Sequence, residues 1–127
     1  MKKVRTFLFS VCCFLFLSVS VFPQSDSLIE VWNNTSKHDT VRAMAMHVYS
    51  RRLAFNNPDT TIILAKQLLQ FSKERSLKKF EVGARNNIAL SYYVKGEYKI
   101  AIDNYSESVA QLKSMVFGED TTLRVFA

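Results

Sequence analysis

The chain has 127 residues and a formal charge of +6, room for one domain at most. Lys2, Lys3 and Arg5 carry three of the positives, so from Ser25 onward 14 basic residues face 11 acidic ones, leaving +3. That is too mild for a nucleic-acid footprint, and no basic stripe with interleaved aromatics appears. Cys12 and Cys13 are the only cysteines. Both fall in an apolar N-terminal run, so the rest of the chain has none for a disulfide framework, a cysteine metal site or thiol catalysis. Three glycines and two prolines argue against a β-sandwich with many tight turns and against a disordered linker. The expectation is a small, exported, all-α protein.

Residues 1–24 have the layout of a secretory signal: a basic start to Arg5, a run from Phe7 to Phe22 whose only polar residues are serines and cysteines, and a break at Pro23. The run is shorter than the roughly 20 residues of a spanning helix. Cleavage fits after Ser20 or near Gln24; an uncleaved anchor is the alternative. Cys12 and Cys13 lack a preceding small-residue box, which argues against lipidation. The predicted location is export to the periplasm, with membrane contact only through this segment if it is retained.

Residues 25–37 form a predicted capping helix, Asp26 to Ser36, with Leu28, Ile29 and Trp32 on one side. Asp39 is the expected N-cap of a second helix running to about Phe55, with an apolar stripe of Val41, Ala45, Val48, Tyr49 and Leu53. Asn57 caps a third helix with Pro58 at its first position. It extends to about Arg75 and buries Ile62, Ala65, Leu68, Leu69 and Phe71. A basic loop is expected at Lys78 and Lys79. The fourth helix, Phe80 to Lys95, carries Ala84, Ile88, Ala89 and Tyr92, and Gly96 breaks it. The fifth, Glu97 to Ser114, carries Tyr98, Ala101, Ile102, Tyr105, Val109 and Leu112.

Ala65 and Ala101 stand 36 residues apart, as do Leu53 and Ala89, Leu69 and Tyr105, and Ile62 and Tyr98. Helix pairs at such a period suggest a solenoid. Ala89, Tyr92, Gly96, Tyr98, Ala101 and Tyr105 stand in an order and spacing that resembles the tetratricopeptide signature. In that reading Ala89 and Ala101 are small because two helices cross closely, Tyr92, Tyr98 and Tyr105 fill the flanking grooves, and Gly96 serves the tight helix end. The resemblance implies an antiparallel helix-pair α-solenoid of about two repeats over residues 38–115. Residues 82–115 match well. Residues 46–81 are degenerate, keeping Leu53, Ile62, Ala65 and Leu69 without the glycine. The Asn-Pro-Asp and Ala-Arg-Asn-Asn-Ile-Ala segments also resemble the exported repeat region of bacterial sensors, which precedes a histidine kinase, cyclase or DNA-binding output.

Residues 116–127 break the pattern, with Gly118 and two threonines where helix formers belong. Either the last helix pairs with another chain, for example in a dimer, or this is a truncated third repeat. His38 and His47 have no third ligand at metal spacing. Carboxylates are scattered singly, and no phosphate loop or nucleophile elbow appears. No enzyme activity, cofactor or metal is expected. The family resemblance implies a protein or peptide partner on a concave face carrying His47, Ser50, Arg51 and Ala54 from the first unit and Asn86, Asn87, Leu90 and Tyr93 from the second. Amides there can bond a peptide backbone, and Tyr93 offers an aromatic surface. Equally, Asn86 and Asn87 can simply occupy a half-exposed helix face.

Overall fold

The computed structural model describes residues 24–118, and side chains from Ser27 onward. The expected leader before Gln24 and the tail after Gly118 lie outside the described residues. Five helices follow one another: α1 Gln24–Asn33, α2 Asp39–Leu53, α3 Pro58–Glu74, α4 Lys78–Val94 and α5 Tyr98–Phe117. There is no strand among the described residues.

Local chemistry sets most of the helix ends. Asn57 Oδ1 accepts the Thr60 N–H at 3.2 Å, with Pro58 opening α3, as the Asn-Pro pair predicts. At α2 the expected cap is corrected: His38, not Asp39, is the N-cap, its Nδ1 accepting the Thr40 N–H at 3.3 Å. Asp39 is drawn into the first turn because two arginines hold its carboxylate, Arg42 at 3.3 Å and Arg75 at 2.9 Å. The basic loop is also corrected, since Lys78 and Lys79 already belong to α4. The α3–α4 turn is short because Ser76 takes a left-handed φ of 55°. Its N–H meets Lys73 C=O, and the Leu77 N–H meets Ser72 C=O at 2.8 Å. The same pair of bonds closes α4, from Gly96 (φ 80°) to Tyr93 and from Glu97 to Tyr92. Both are Schellman ends.

Each helix packs against the next in sequence, and α2 also packs directly on α4. The centre is formed by Ala43 and Met46 of α2, Leu68 and Phe71 of α3, and Phe80 and Ala84 of α4. Ile29 and Trp32 of α1 lean on it, half-buried, and Trp32 meets Phe71 at 4.7 Å between ring centroids. Burying Met46 or Leu68 contributes about 1.5–3 kcal/mol each. The expected α2 stripe is corrected. Of the expected residues Ala45 is buried, Val41 is exposed and Val48, Tyr49 and Leu53 are half-buried, whereas Ala43, Met46, Ser50 and Ala54 are also buried. Ala43, Met46, Ser50 and Ala54, at steps of three and four, form the buried stripe, and Ala45 is buried beside it.

The helix starts repeat at a longer spacing than the 36-residue pairs. Pro58 and Tyr98 open α3 and α5, 40 residues apart. Burial repeats at the same distance: Thr61 with Ala101, and Leu68 with Ser108. In α2 and α4 the matching positions are Ala43 with Ala84, and Ser50 with Ser91, one residue further apart. Ser50 and Ser91 even repeat a bond, each hydroxyl donating to the carbonyl four residues before it, at 2.8 and 2.9 Å. Burial recurs at 36 residues as well, in Ala65 with Ala101 and Ser72 with Ser108, and buried Ile62 meets an exposed residue at either spacing, Tyr98 or Ile102. The tyrosine expectation is corrected too: Tyr92 is half-buried, while Tyr98 and Tyr105 are exposed. Spacings of 36 also join helix ends. Asp39–Arg75 and Asp59–Lys95 (2.6 Å) each tie the start of one helix to the end of the next. The hydrogen bond that the Lys95 ammonium donates to Asp59 raises its pKa above the ordinary lysine value.

Candidate interaction surface

The direct contact of α2 with α4 is built on one amide. Asn87 Nδ2 of α4 donates to His47 C=O at 3.0 Å and to Ser50 Oγ at 2.9 Å, both on α2. The Thr61 hydroxyl of α3 donates to Ser50 C=O at 2.9 Å, so a buried polar ladder runs from α4 through α2 to α3. Within it, Asn87 Oδ1 has no hydrogen-bond partner among the described residues, which leaves the amide held by its donors.

Beside this ladder, α2 and α4 enclose a groove of ≈ 320 Å³ lined by Met44, His47, Val48, Lys79, Phe80 and Gly83. Gly83 leaves space for His47: a Cβ there would lie 2.9 Å from His47 Nδ1, so the ring would have to shift. The imidazole thus sits in a notch that glycine leaves in α4. Burial, then the nearby charges of Arg51 and Lys79, push the His47 pKa below its ordinary 6.5. At pH 7 the ring is therefore neutral. Among the described residues no group of three or more His, Cys, Asp or Glu is placed to hold a metal. The groove thus offers an apolar floor with a basic edge, chemistry suited to binding.

The eight residues expected on a partner face divide. Ser50, Ala54 and Asn87 are fully buried, which corrects their assignment to a contact surface: they join helices to one another. Arg51 and Tyr93 are exposed, and Asn86 and Leu90 are half-buried. His47 alone of the eight lines the groove. Tyr93 rests against Tyr98 at 5.6 Å across the α4–α5 turn. Sequence reasoning passed over Met44, Lys79, Phe80 and Gly83. The available signal was Gly83, a glycine inside a helical pattern.

A second concavity, ≈ 560 Å³, lies where α1 meets α2 and α3, lined by Trp32, Arg42, Phe71 and Arg75 among others. Arg42 Nε donates to Trp32 C=O at 2.9 Å, and the Arg42 and Arg75 guanidinium carbons stand 4.9 and 3.9 Å from the Phe71 ring centroid. With Asp39 between the two arginines, this cluster latches α1 onto the array.

Compared with known proteins, the chain matches no family model, no curated protein and no solved structure. What the fold defines is an all-α protein in which each helix packs against the next. No described helix is long and apolar enough to cross a membrane.

Proposed function

We propose that this chain is a non-catalytic, exported protein-interaction module of the tetratricopeptide-like kind, which receives a peptide or partner segment in the groove between α2 and α4. The observation that carries this reading is the side-by-side stacking of α2 on α4. It gathers Met44, Val48 and Phe80 with the basic Lys79 around one open groove. The signal-like layout of residues 1–24 supports export. A second reading is favoured by the apolar residues that α5 turns outward. In it the chain is the periplasmic input region of a signalling protein of the histidine kinase, cyclase or transcriptional-regulator type, and further helices cover α5.

The test is to select peptides by display on the full chain and measure their affinity for two variants. Met44→Asp, at the groove, is expected to weaken binding by about tenfold or more. Ile63→Asp, at an exposed position of α3, is expected to leave it unchanged. Equal effects of both substitutions, or of neither, would remove the groove as the binding surface.

A further inference from the structure

We propose that the outer face of α5 docks an amphipathic helix of another protein, one with apolar residues at alternating three- and four-residue spacing and carboxylates along one flank. This rests on the interaction-module reading but concerns a different surface. The polarity of α5 is inverted. Toward α4 it presents Ala101 and Ser108, both buried, and polar links from Gln111 Nε2 to Glu81 Oε2 at 2.8 Å and between Glu107 and Arg85. Toward solvent it presents Tyr98, Ile102, Tyr105, Val109, Leu112 and Val116, between 39 % and 70 % exposed.

Three observations define the occupant. The outward residues step by 4, 3, 4, 3 and 4, the 3.5-residue period of a helix–helix seam. A concavity of ≈ 410 Å³ follows this seam, lined by Ile102, Tyr105, Ser106, Val109, Ala110 and Lys113. These are two overlapping sets at i, i+3, i+4 and i+7, the four-residue holes that accept knobs from a facing helix. Ser106 and Ala110 are the small residues of these sets. Continuity with the array points the same way. Ile62 and Ala65, forty residues before Ile102 and Tyr105, are buried in α3, which has helices on both sides, whereas among the described residues α5 packs only on α4.

Charge selects the partner. Lys99 and Lys113 flank the seam on one side, two heptads apart. Asp103 engages Lys99 at 3.2 Å, and Lys113 makes no ion pair among the described residues. In an antiparallel pairing of two α5 helices, Tyr105 opposes Val109 and Ile102 opposes Leu112, which brings Lys99 beside Lys113 of the other copy. Like charges there disfavour self-association, and carboxylates on a foreign helix satisfy Lys113.

The probe is a labelled synthetic helix of about three heptads with Leu at a and d and Glu at e and g, titrated onto the full chain by fluorescence anisotropy. A counterpart carries Lys at e and g. The Glu peptide is expected to bind and the Lys peptide to bind about tenfold more weakly. Val109→Glu, at an exposed position, should abolish binding with helical content unchanged, and Lys113→Glu should reverse the preference between peptides. Met44→Asp should leave this binding intact, so failure at the α2–α4 groove is distinguishable from failure here. Absence of binding, or equal affinity for both peptides, would overturn the proposal. So would a dimer in sedimentation that Val109→Glu dissolves, which assigns the face to a second copy. Binding only after removal of residues 119–127 would assign it to the chain's own tail.

Discussion

Asn87 illustrates why single polar residues resist assignment from sequence. An amide on a helix face can bond a bound peptide or a neighbouring helix with the same donors, and nothing in the sequence near Asn87 separates the two. Here the neighbour wins, since Ser50 Oγ and His47 C=O lie within 3.0 Å of it. Gly83 is a sharper residue-scale case, because two effects oppose each other there. Alanine would gain about 1 kcal/mol of helix propensity but would press on the His47 ring at 2.9 Å. Gly83→Ala is therefore expected to be neutral or destabilising in the native background, and stabilising by about 0.5–1 kcal/mol once His47 is alanine. Urea unfolding of the four variants checks this. A gain in both backgrounds would mean the imidazole does not occupy the notch. The lowered His47 pKa carries a pH consequence. Above the unfolded value near 6.5 the ring is neutral in both states. As pH falls below it, the unfolded chain takes up the proton first, so stability drops until the folded pKa is passed. Thermal unfolding between about pH 7 and 5 should show that loss, and His47→Gln should reduce it.

At the scale of elements, helix order and several boundaries were legible because they rest on short-range chemistry. Asn57 with Pro58, and Gly96, mark ends that the chain adopts as read. The α3–α4 turn was misread because Ser76 holds a left-handed conformation that serine does not advertise. For α5 the apolar stripe was visible in the sequence, but not which way it faces. Ordinarily the apolar face is the inner one. The polar links from Gln111 and Glu107 to α4 turn part of that stripe outward, while Ala101 stays inside. Ala101 is the close-contact point of that interface, 2 % exposed. Ala101→Leu is expected to destabilise by about 1–3 kcal/mol through overpacking. An unchanged melting temperature would mean that α5 does not rest on α4 through this residue.

For the whole molecule, the helical class was legible because apolar residues recur at helical spacing between strong caps. The helix starts repeat at about 40 residues, whereas the alanines 36 residues apart, Ala65 and Ala101, are both buried, because small residues are needed at several different helix crossings. Of the residues expected on a partner face His47 alone lines the groove between α2 and α4, since that groove depends on which non-adjacent helices meet, and no local pattern encodes that. This non-adjacent contact is also what the functional proposal rests on. Its most direct test is a double-mutant cycle of Ser50→Ala and Asn87→Ala, measured by urea unfolding of the full chain. The stacked array predicts a coupling of about 0.5–3 kcal/mol between the two positions, whereas additivity within about 0.5 kcal/mol would contradict the stacking of α2 on α4.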